Sequence, residues 1–297
     1  MKNYHVFTHN DLDGAVSLLL FMWAHPDSII TSQSLSKNKI IGAAQIYFNS
    51  LINAPEVFFL DFNINADFLQ FDKPFVNFID HHDNDKSIVN SFQHAKVFNE
   101  KSSSNALFFY KTFSQFFVKL TNEQKKMVLY ADDYDSGKNI HKESYDLNLI
   151  LWSEYRNNFN GFINAYTNGF VSFTELQISK INAIKTYAEE ESKKLKVFSG
   201  QLKIQNKDKN VYAACYNKIE YLVLDYIMKN KPHVDILILV DLHAKTVALR
   251  QQYSDDEIDL GAFAEKYCEG GGNNHSARGI LTDIFMEITK KINIQES

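Results

Sequence analysis

Four short stretches of the 297-residue chain carry carboxylates and imidazoles at intervals that suit metal-ion chemistry. They are His9-Asn10-Asp11-Leu12-Asp13-Gly14, the single Asp61, Asp80-His81-His82-Asp83, and Asp132-Asp133-Tyr134-Asp135-Ser136-Gly137. In the first, alternate residues of a short extended stretch point the same way, so His9, Asp11 and Asp13 can face one centre. Neutral imidazole and carboxylate together suit a borderline divalent ion such as Mn2+, and no thiolate is at hand to favour zinc. Carboxylates packed closely repel one another unless cations neutralise them. Two cations about 3.5–4 Å apart need a shared carboxylate, and such a pair clamps the attacking and leaving oxygens of a phosphoryl displacement.

A sheet is the element that can bring these residues together. Residues 4–8, 56–60, 75–79 and 96–98 are short apolar runs ended by polar turn residues and read as strands. Segments 14–24, 39–51 and 65–71, then 105–117 and 123–131, carry apolar residues three and four apart, as helices do. Strands alternating with helices give an α/β fold: a mostly parallel sheet with helices on both faces. Ligands collect beyond the carboxyl ends of such strands. His9, Asp61 and Asp80 each stand at a predicted strand end, and the run 132–135 follows a predicted helix. A single Asp at such a place is ordinarily a helix N-cap, as Asp13 before Gly14 or Asp61 before a turn would be. Four such pieces at successive switch positions point to a metal site through their arrangement.

Residues 174–197 form a long helical segment rich in Glu and Lys, which reads as a connector with a solvated face. Beyond it, 200–204, 211–215, 234–240 and 245–250 read as strands, and 220–229 and 260–266 as helices. The expected organisation is an N-terminal domain over 1–172, a helical linker over 173–198, and a smaller C-terminal α/β domain over 199–297.

The string Thr8-His9-Asn10-Asp11-Leu12-Asp13-Gly14, with Asp61, Asp80-His81-His82 and Tyr134-Asp135-Ser136, resembles the four N-terminal motifs of the DHH phosphoesterase superfamily. Val247-Ala248-Leu249-Arg250, Ile258-Asp259-Leu260 and the stretch from Gly270-Gly271-Gly272 to Ala277-Arg278-Gly279 resemble its DHHA1 substrate-binding domain. The resemblance covers essentially the whole chain, and its details are most similar to the bacterial oligoribonuclease B, or nanoRNase, branch. It implies a DHH catalytic domain first and a DHHA1-like substrate domain second. One Mn2+ would be held by His9, Asp11 and Asp61, and a second by Asp13, Asp61, His81 and Asp135, with Asp61 bridging and Mg2+ or Co2+ as alternatives. Asp80 would orient His81, His82 would face the substrate phosphate, and a two-metal-activated hydroxide would attack phosphorus in line. Asp132 and Asp133 compete with Asp135 for the last position; Asp135 is preferred because Asp-Ser-Gly resembles the Asp-Thr-Gly of relatives.

The glycine motif departs from the family form Gly-Gly-Gly-His-x-x-Ala-x-Gly. Alignment on Ala277 and Gly279 places Asn274 where the histidine belongs, with His275 one residue late; alignment on the glycines places Asn273 there. Gly270, Gly271 and Gly272 would let backbone approach phosphate oxygens closely. Arg250 and Arg278 are candidate phosphate or base contacts. The implied activity is hydrolysis of short oligoribonucleotides to mononucleotides. The alternatives are a small-nucleotide phosphoesterase, acting on 3′-phosphoadenosine 5′-phosphate or a cyclic dinucleotide such as c-di-AMP, and a non-catalytic nucleotide-binding module.

Composition narrows the partners. The net charge is −5, from 31 Lys and Arg against 36 Asp and Glu, which lacks the basic surface needed to bind a long duplex. Five of the negative charges are Asp11, Asp13, Asp61, Asp80 and Asp135, and two divalent cations would turn that cluster into a phosphate receptor. The two cysteines, Cys215 and Cys268, exclude a disulfide framework and a Cys-rich zinc site. No apolar run is long enough to span a bilayer and no signal core follows Met1, so a cytoplasmic protein without a membrane partner is expected. Phe108, Phe109, Phe113, Phe116 and Phe117 at helical spacing read as core rather than as a base-stacking platform. Ser102-Ser103-Ser104 reads as the N-cap region of their helix.

Overall fold

The run Tyr4-His5-Val6-Phe7-Thr8 has no exposed face: all five residues are buried in β1 (Asn3–His9). Such a strand needs cover on both sides, which helices joined by crossovers supply. The computed structural model describes all residues except 52–54, 117–118, 139, 196, 205–206, 216–222, 224–225, 228–233, 252–257, 273–275, 290–294 and 297. The chain divides into two compact units, Met1–Thr174 and Glu175–Ser297.

In the first unit β1 leads to α1 (Leu12–Ala24), β2 (Ile29–Leu35), α2 (Ile40–Ser50), β3 (Glu56–Leu60) and a 3-10 helix, Ala66–Phe71. Then come β4 (Val76–Asp80), α3 (Lys86–Val89), β5 (Lys96–Asn99), α4 (Asn105–Thr112), α5 (Asn122–Asp135), α6 (Lys142–Glu154) and α7 (Phe159–Ala165). The strands form a wholly parallel sheet in the order β2-β1-β3-β4-β5. The chain runs from β1 to one edge, then back past β1 to β3 and on to the other edge. The order therefore reverses between β1 and β3, and the diverging connections open a crevice there. His9 closes β1 and Asp61 follows β3, one on each side of that crevice.

Each face of the sheet has its own core. Leu19, Phe109, Met127, Leu147 and Phe162 from α1, α4, α5, α6 and α7 pack with Val6, Leu60 and Ile79. On the other face, Ile40, Ala44, Phe68 and Phe71 cover Phe7, Phe59 and Phe78. Those last three are direct cross-strand partners and stack in a row, with ring centroids 5.0 Å apart for Phe7–Phe59 and 4.9 Å for Phe59–Phe78. Each stands two residues before a site residue: His9, Asp61 and Asp80. A one-residue slip would turn every side chain of a strand to the opposite face, so this row fixes the level at which the three meet.

The second unit contains α8 (Glu175–Lys194), β6 (Val197–Ile204), β7 (Lys207–Cys215), β8 (Ile236–Asp241), β9 (Thr246–Gln251) and α9 (Leu260–Cys268). It ends with β10 (Gly271–Gly272), β11 (Ser276–Ile280), α10 (Asp283–Thr289) and β12 (Gln295–Glu296). Its sheet runs β10-β11-β9-β8-β7-β6-β12, antiparallel except for β7 beside β8. The fold is thus α/β as expected, with a parallel N-terminal sheet and a smaller C-terminal α/β unit. Among the described residues, no helix is long and apolar enough to cross a membrane.

Several elements differ from the sequence expectation for local physical reasons. β2 is absent from the predicted strands because Thr31, Ser32, Gln33 and Ser34 make it polar, as an edge strand with an exposed side can be. Segment 65–71 winds as a 3-10 helix. The single helix predicted over 105–117 stops at Thr112, and a 3-10 turn, Ser114–Phe116, follows. Phe108 and Phe109 are buried and Phe113 packs against the core, while the side chains of Phe116 and Phe117 lie outside the described residues. α5 runs four residues beyond Ala131, so Asp135 sits on a helix end rather than in a loop. α6 is buried from Ser144 to Leu151 and so lacks the amphipathic stripe by which helices are read. The predicted helix 220–229 lies largely outside the described residues, with Val223, Tyr226 and Ile227 helical.

The phenylalanine row yields a stability prediction. Phe59→Ala removes the central ring, which is 1% exposed, and is expected to cost about 3–5 kcal/mol in urea unfolding of the metal-free protein.

Candidate metal centre

The turn after β1 is tightly wound. Thr8 Oγ1 donates to the Gly14 carbonyl at 2.7 Å, and a Cβ on Gly14 would lie 2.2 Å from the His9 carbonyl oxygen. Only glycine fits there. Asp11, not Asp13, is the N-cap of α1: its Oδ1 accepts from Gly14 N at 2.9 Å while its Oδ2 lies 2.5 Å from His9 Nδ1. Asp13 turns inward and is buried, and its two oxygens accept from the backbone amides of Asn105 (2.6 Å) and Ala106 (2.8 Å) at the start of α4.

Asp61 is the residue on which the pieces converge. Its φ is +65°, a left-handed conformation that costs a non-glycine residue about 1–3 kcal/mol and clusters at functional sites. Its Oδ1 lies 3.4 Å from His81 Nε2 and its Oδ2 lies 3.9 Å from His9 Nδ1. Oδ2 is buried and has no hydrogen-bond partner among the described residues. His81 Nδ1 faces the Ser102 carbonyl at 3.0 Å, so it carries the proton in the neutral ring and leaves Nε2 as the lone-pair nitrogen. Nε2 is 3.7 Å from Asp13 Oδ2 and 3.7 Å from Asp135 Oδ2.

Donor atoms of His9, Asp11 and Asp61 lie within 4.8 Å of one another, as do those of Asp13, His81 and Asp135, and those of Asp61, His81 and His82. The other two acidic residues of the fourth stretch are occupied elsewhere. Asp133 accepts from Ile140 N, His141 N and Ser144 Oγ, closing the turn into α6, and Asp132 accepts from Ser103 and Ser104 hydroxyls and pairs with Lys138 at 3.7 Å. Asp80 does not brace His81 as expected from the resemblance. Its Oδ1 holds His82 Nδ1 at 2.7 Å, and its Oδ2 accepts from Asn84 Nδ2 at 2.5 Å. Alternation along the chain turns His81 and His82 to different partners. The Ser102 carbonyl, Asn84 and Asn99, whose Nδ2 donates to the Asp80 and His82 carbonyls, were not singled out from the sequence. A backbone carbonyl leaves no side-chain signature, and an isolated Asn carries none specific to such a network.

The electrostatics are those of an acidic cluster held together by protons. Burial alone would lower His81, but Asp61, Asp13 and Asp135 around it raise it to about 11. Burial opposes protonation of His9 too, and Asp11, Asp61 and Asp135 overcome it, raising that ring to about 9. Asp13 is pushed well above the usual carboxylate range by burial and by Asp61 and Asp135. Burial, with Asp61 and Asp11 opposing the pull of His81, takes Asp135 up to about 7. A divalent cation at either group would replace those protons and give Asp61 Oδ2 the partner it lacks. The donor set, imidazole and carboxylate without thiolate, fits such a cation.

In the second unit the glycine triplet is not an open loop. Gly271 and Gly272 pair with Arg278 and Ala277, and a Cβ would lie 2.0 Å from the Arg278 carbonyl oxygen at Gly270 and 2.1 Å from the Ser276 carbonyl oxygen at Gly272. Arg250 stands opposite Ser276, and Arg278 lies two residues further along β11, so both side chains share one face of the sheet. Asn273, Asn274 and His275 lie outside the described residues.

No protein-family profile matches the sequence, and no curated protein matches it. Solved structures do match in three dimensions. PggH from Vibrio cholerae, a pGpG-specific phosphodiesterase, superposes with a TM-score of 0.58 over 97% of this chain and 96% of its own, at 13% identity. RecJ from Thermus thermophilus in complex with Mn2+ gives 0.58 over 97% of this chain and 51% of that longer one, at 10% identity. An exopolyphosphatase-related protein from Bacteroides fragilis gives 0.52 over 98% and 92%, at 16% identity. The fold is shared.

The protonated state of the cluster makes a testable prediction. Mn2+ added to the metal-free protein at pH 7 is expected to displace protons from His81 and His9, so the heat of binding will change with the ionisation enthalpy of the buffer. Affinity is expected to fall as pH falls from 9 to 6, because protons compete for the same atoms.

Proposed function

We propose that the chain is a metal-dependent phosphodiesterase of the DHH superfamily that hydrolyses very short oligoribonucleotides to mononucleotides. The observation that carries this reading is the bare, buried Oδ2 of Asp61, set between the His9–Asp11 pair and the Asp13–His81–Asp135 group. One cation is assigned to His9, Asp11 and Asp61, and a second to Asp13, Asp61, His81 and Asp135, with Mn2+ the preferred ion. When bound, the cations supply polarisation of the phosphoryl group and activation of the attacking water. The rest falls to side chains. His82 is held by Asp80 through Nδ1, and the Asp80 carboxylate raises its pKa against the effect of burial. In the protonated ring the other nitrogen also carries a proton and can donate to a phosphoryl oxygen as charge develops there. The Asn84 and Asn99 hydrogen bonds around Asp80 and His82 keep that ring from swinging away. Residues 1–172 are assigned to catalysis and 199–297 to substrate, joined by 173–198, with Arg250, Gly270, Gly271, Gly272, Asn274, His275 and Arg278 as substrate contacts.

A small-nucleotide substrate is the second reading, and the fold shared with a pGpG-specific phosphodiesterase over nearly the whole of both chains favours it. The two readings separate by assay. Hydrolysis of di- to pentaribonucleotides, pGpG, c-di-AMP and 3′-phosphoadenosine 5′-phosphate is to be measured with and without Mn2+, reading mononucleotide, ring-opened dinucleotide and inorganic phosphate as products. Turnover of short linear RNA across several lengths supports the first reading. Activity confined to one small nucleotide supports the second, and no turnover of any substrate with Mn2+ bound removes both.

Two substitutions test the assignments. Asp61→Asn is expected to abolish Mn2+ uptake at one or both positions and lower kcat by at least about 10²-fold. His82→Ala is expected to lower kcat by about 10²-fold while Mn2+ binding stays unchanged.

A further inference from the structure

The segment from Ser102 to Ala106 reaches three separate elements of the centre. The Ser102 carbonyl accepts from His81 Nδ1, and its amide donates back to the His81 carbonyl at 3.2 Å. The hydroxyls of Ser103 and Ser104 both donate to Asp132 Oδ1 in α5. Ser104 also caps α4, accepting from Leu107 N at 3.1 Å. The next two amides hold Asp13, and the Asn105 side chain donates to Ser17 Oγ at 2.9 Å, one turn further along α1. Ser104 and Asn105 are wholly buried, so these bonds compete little with water.

The Asp132 end of this bracket bears on a ligand it does not touch. Asp132 and Asp135 are three residues apart on α5 and therefore lie on one face, a turn from each other. A hydrogen-bonded carboxylate at 132 pins the last turn of that helix against the segment that also grips His81 and Asp13. Asp135 Oδ2, 3.7 Å from His81 Nε2, takes its place from that turn. Ser104 has a second task as the cap of α4, whereas Ser103 shows no bond except the one to Asp132 among those described.

We propose that Ser103, acting through Asp132, is a positioning residue for the Asp13–His81–Asp135 cation site, setting where Asp135 stands relative to the other two donors. The proposal rests on the metal-centre reading above. Partners one step removed from a metal typically change its affinity by about 10–100-fold when lost.

The test is calorimetric titration of MnCl2 into the metal-free protein, with His9→Ala and Asp135→Asn used to assign the two binding events. Ser103→Ala is expected to weaken the Asp135 event by about 10-fold and leave the His9 event and the unfolding temperature of the metal-free protein unchanged. Ser103→Thr, which keeps the hydroxyl, is expected to restore it. Ser103→Ala combined with Asp132→Ala should be no weaker than Asp132→Ala alone, since Ser103 acts only through the Asp132 carboxylate. Should Ser103→Ala fail to fold, Asp132→Ala carries the same expectation of selective weakening. Equal weakening of both events, unchanged binding, or additive effects of the two substitutions overturns the proposal while two Mn2+ still bind the wild type. A wild type that takes up no Mn2+ overturns the metal-centre reading and this proposal with it.

Discussion

Cross-strand register in the parallel sheet is the constraint on which the centre depends. His9 and His81, 72 residues apart in sequence, each come within 4 Å of Asp61 because β1, β3 and β4 pair side by side, and α5 then brings Asp135 to His81. Parallel hydrogen bonds alone are indifferent to a two-residue shift. The apolar side chains are not, and the stacked rings of Phe7, Phe59 and Phe78 match only at the observed level. Burial of those rings drives sheet formation and, through the two residues that follow each, sets the position of the chemistry. The abundance of phenylalanine, 24 residues in all, is therefore more than bulk hydrophobicity.

Against that ordering force stands the electrostatic cost of the centre. Asp13 and Asp61 are almost fully buried, and Asp61 also holds a left-handed backbone. Without cations, His9, His81, Asp13 and Asp135 hold protons more tightly than they would in water, which lowers the repulsion among these groups. Several of the surrounding bonds come from neutral groups: a carbonyl for His81, two amides for Asp13, an Asn for Asp80. Those groups add no charge to an already acidic site.

The sequence made the ends of the strands legible because His and Asp stand there against apolar runs. It also made α1, α5 and, in the second unit, α8, β6 to β9 and α9 legible by their spacing, while β11 and α10 went unread. β2 was hidden by its polar edge character, and α6 by burial on all sides. Within the site, the partner of Asp80 could not be read from adjacency, since Asp80-His81-His82 offers two imidazoles and only the turn of the chain decides between them. The part of Ser102 played by its carbonyl was unreadable for a different reason: any residue would present the same atom.

The glycine hairpin of the second unit has a consequence for which residues this chain can carry. The atoms that forbid a Cβ at Gly270 and Gly272 are backbone oxygens of Arg278 and Ser276, present whatever side chains those positions carry. A requirement for folding alone would thus keep glycine at both positions. The presence of glycine at these two positions is therefore accounted for by backbone packing alone, whatever the second unit binds.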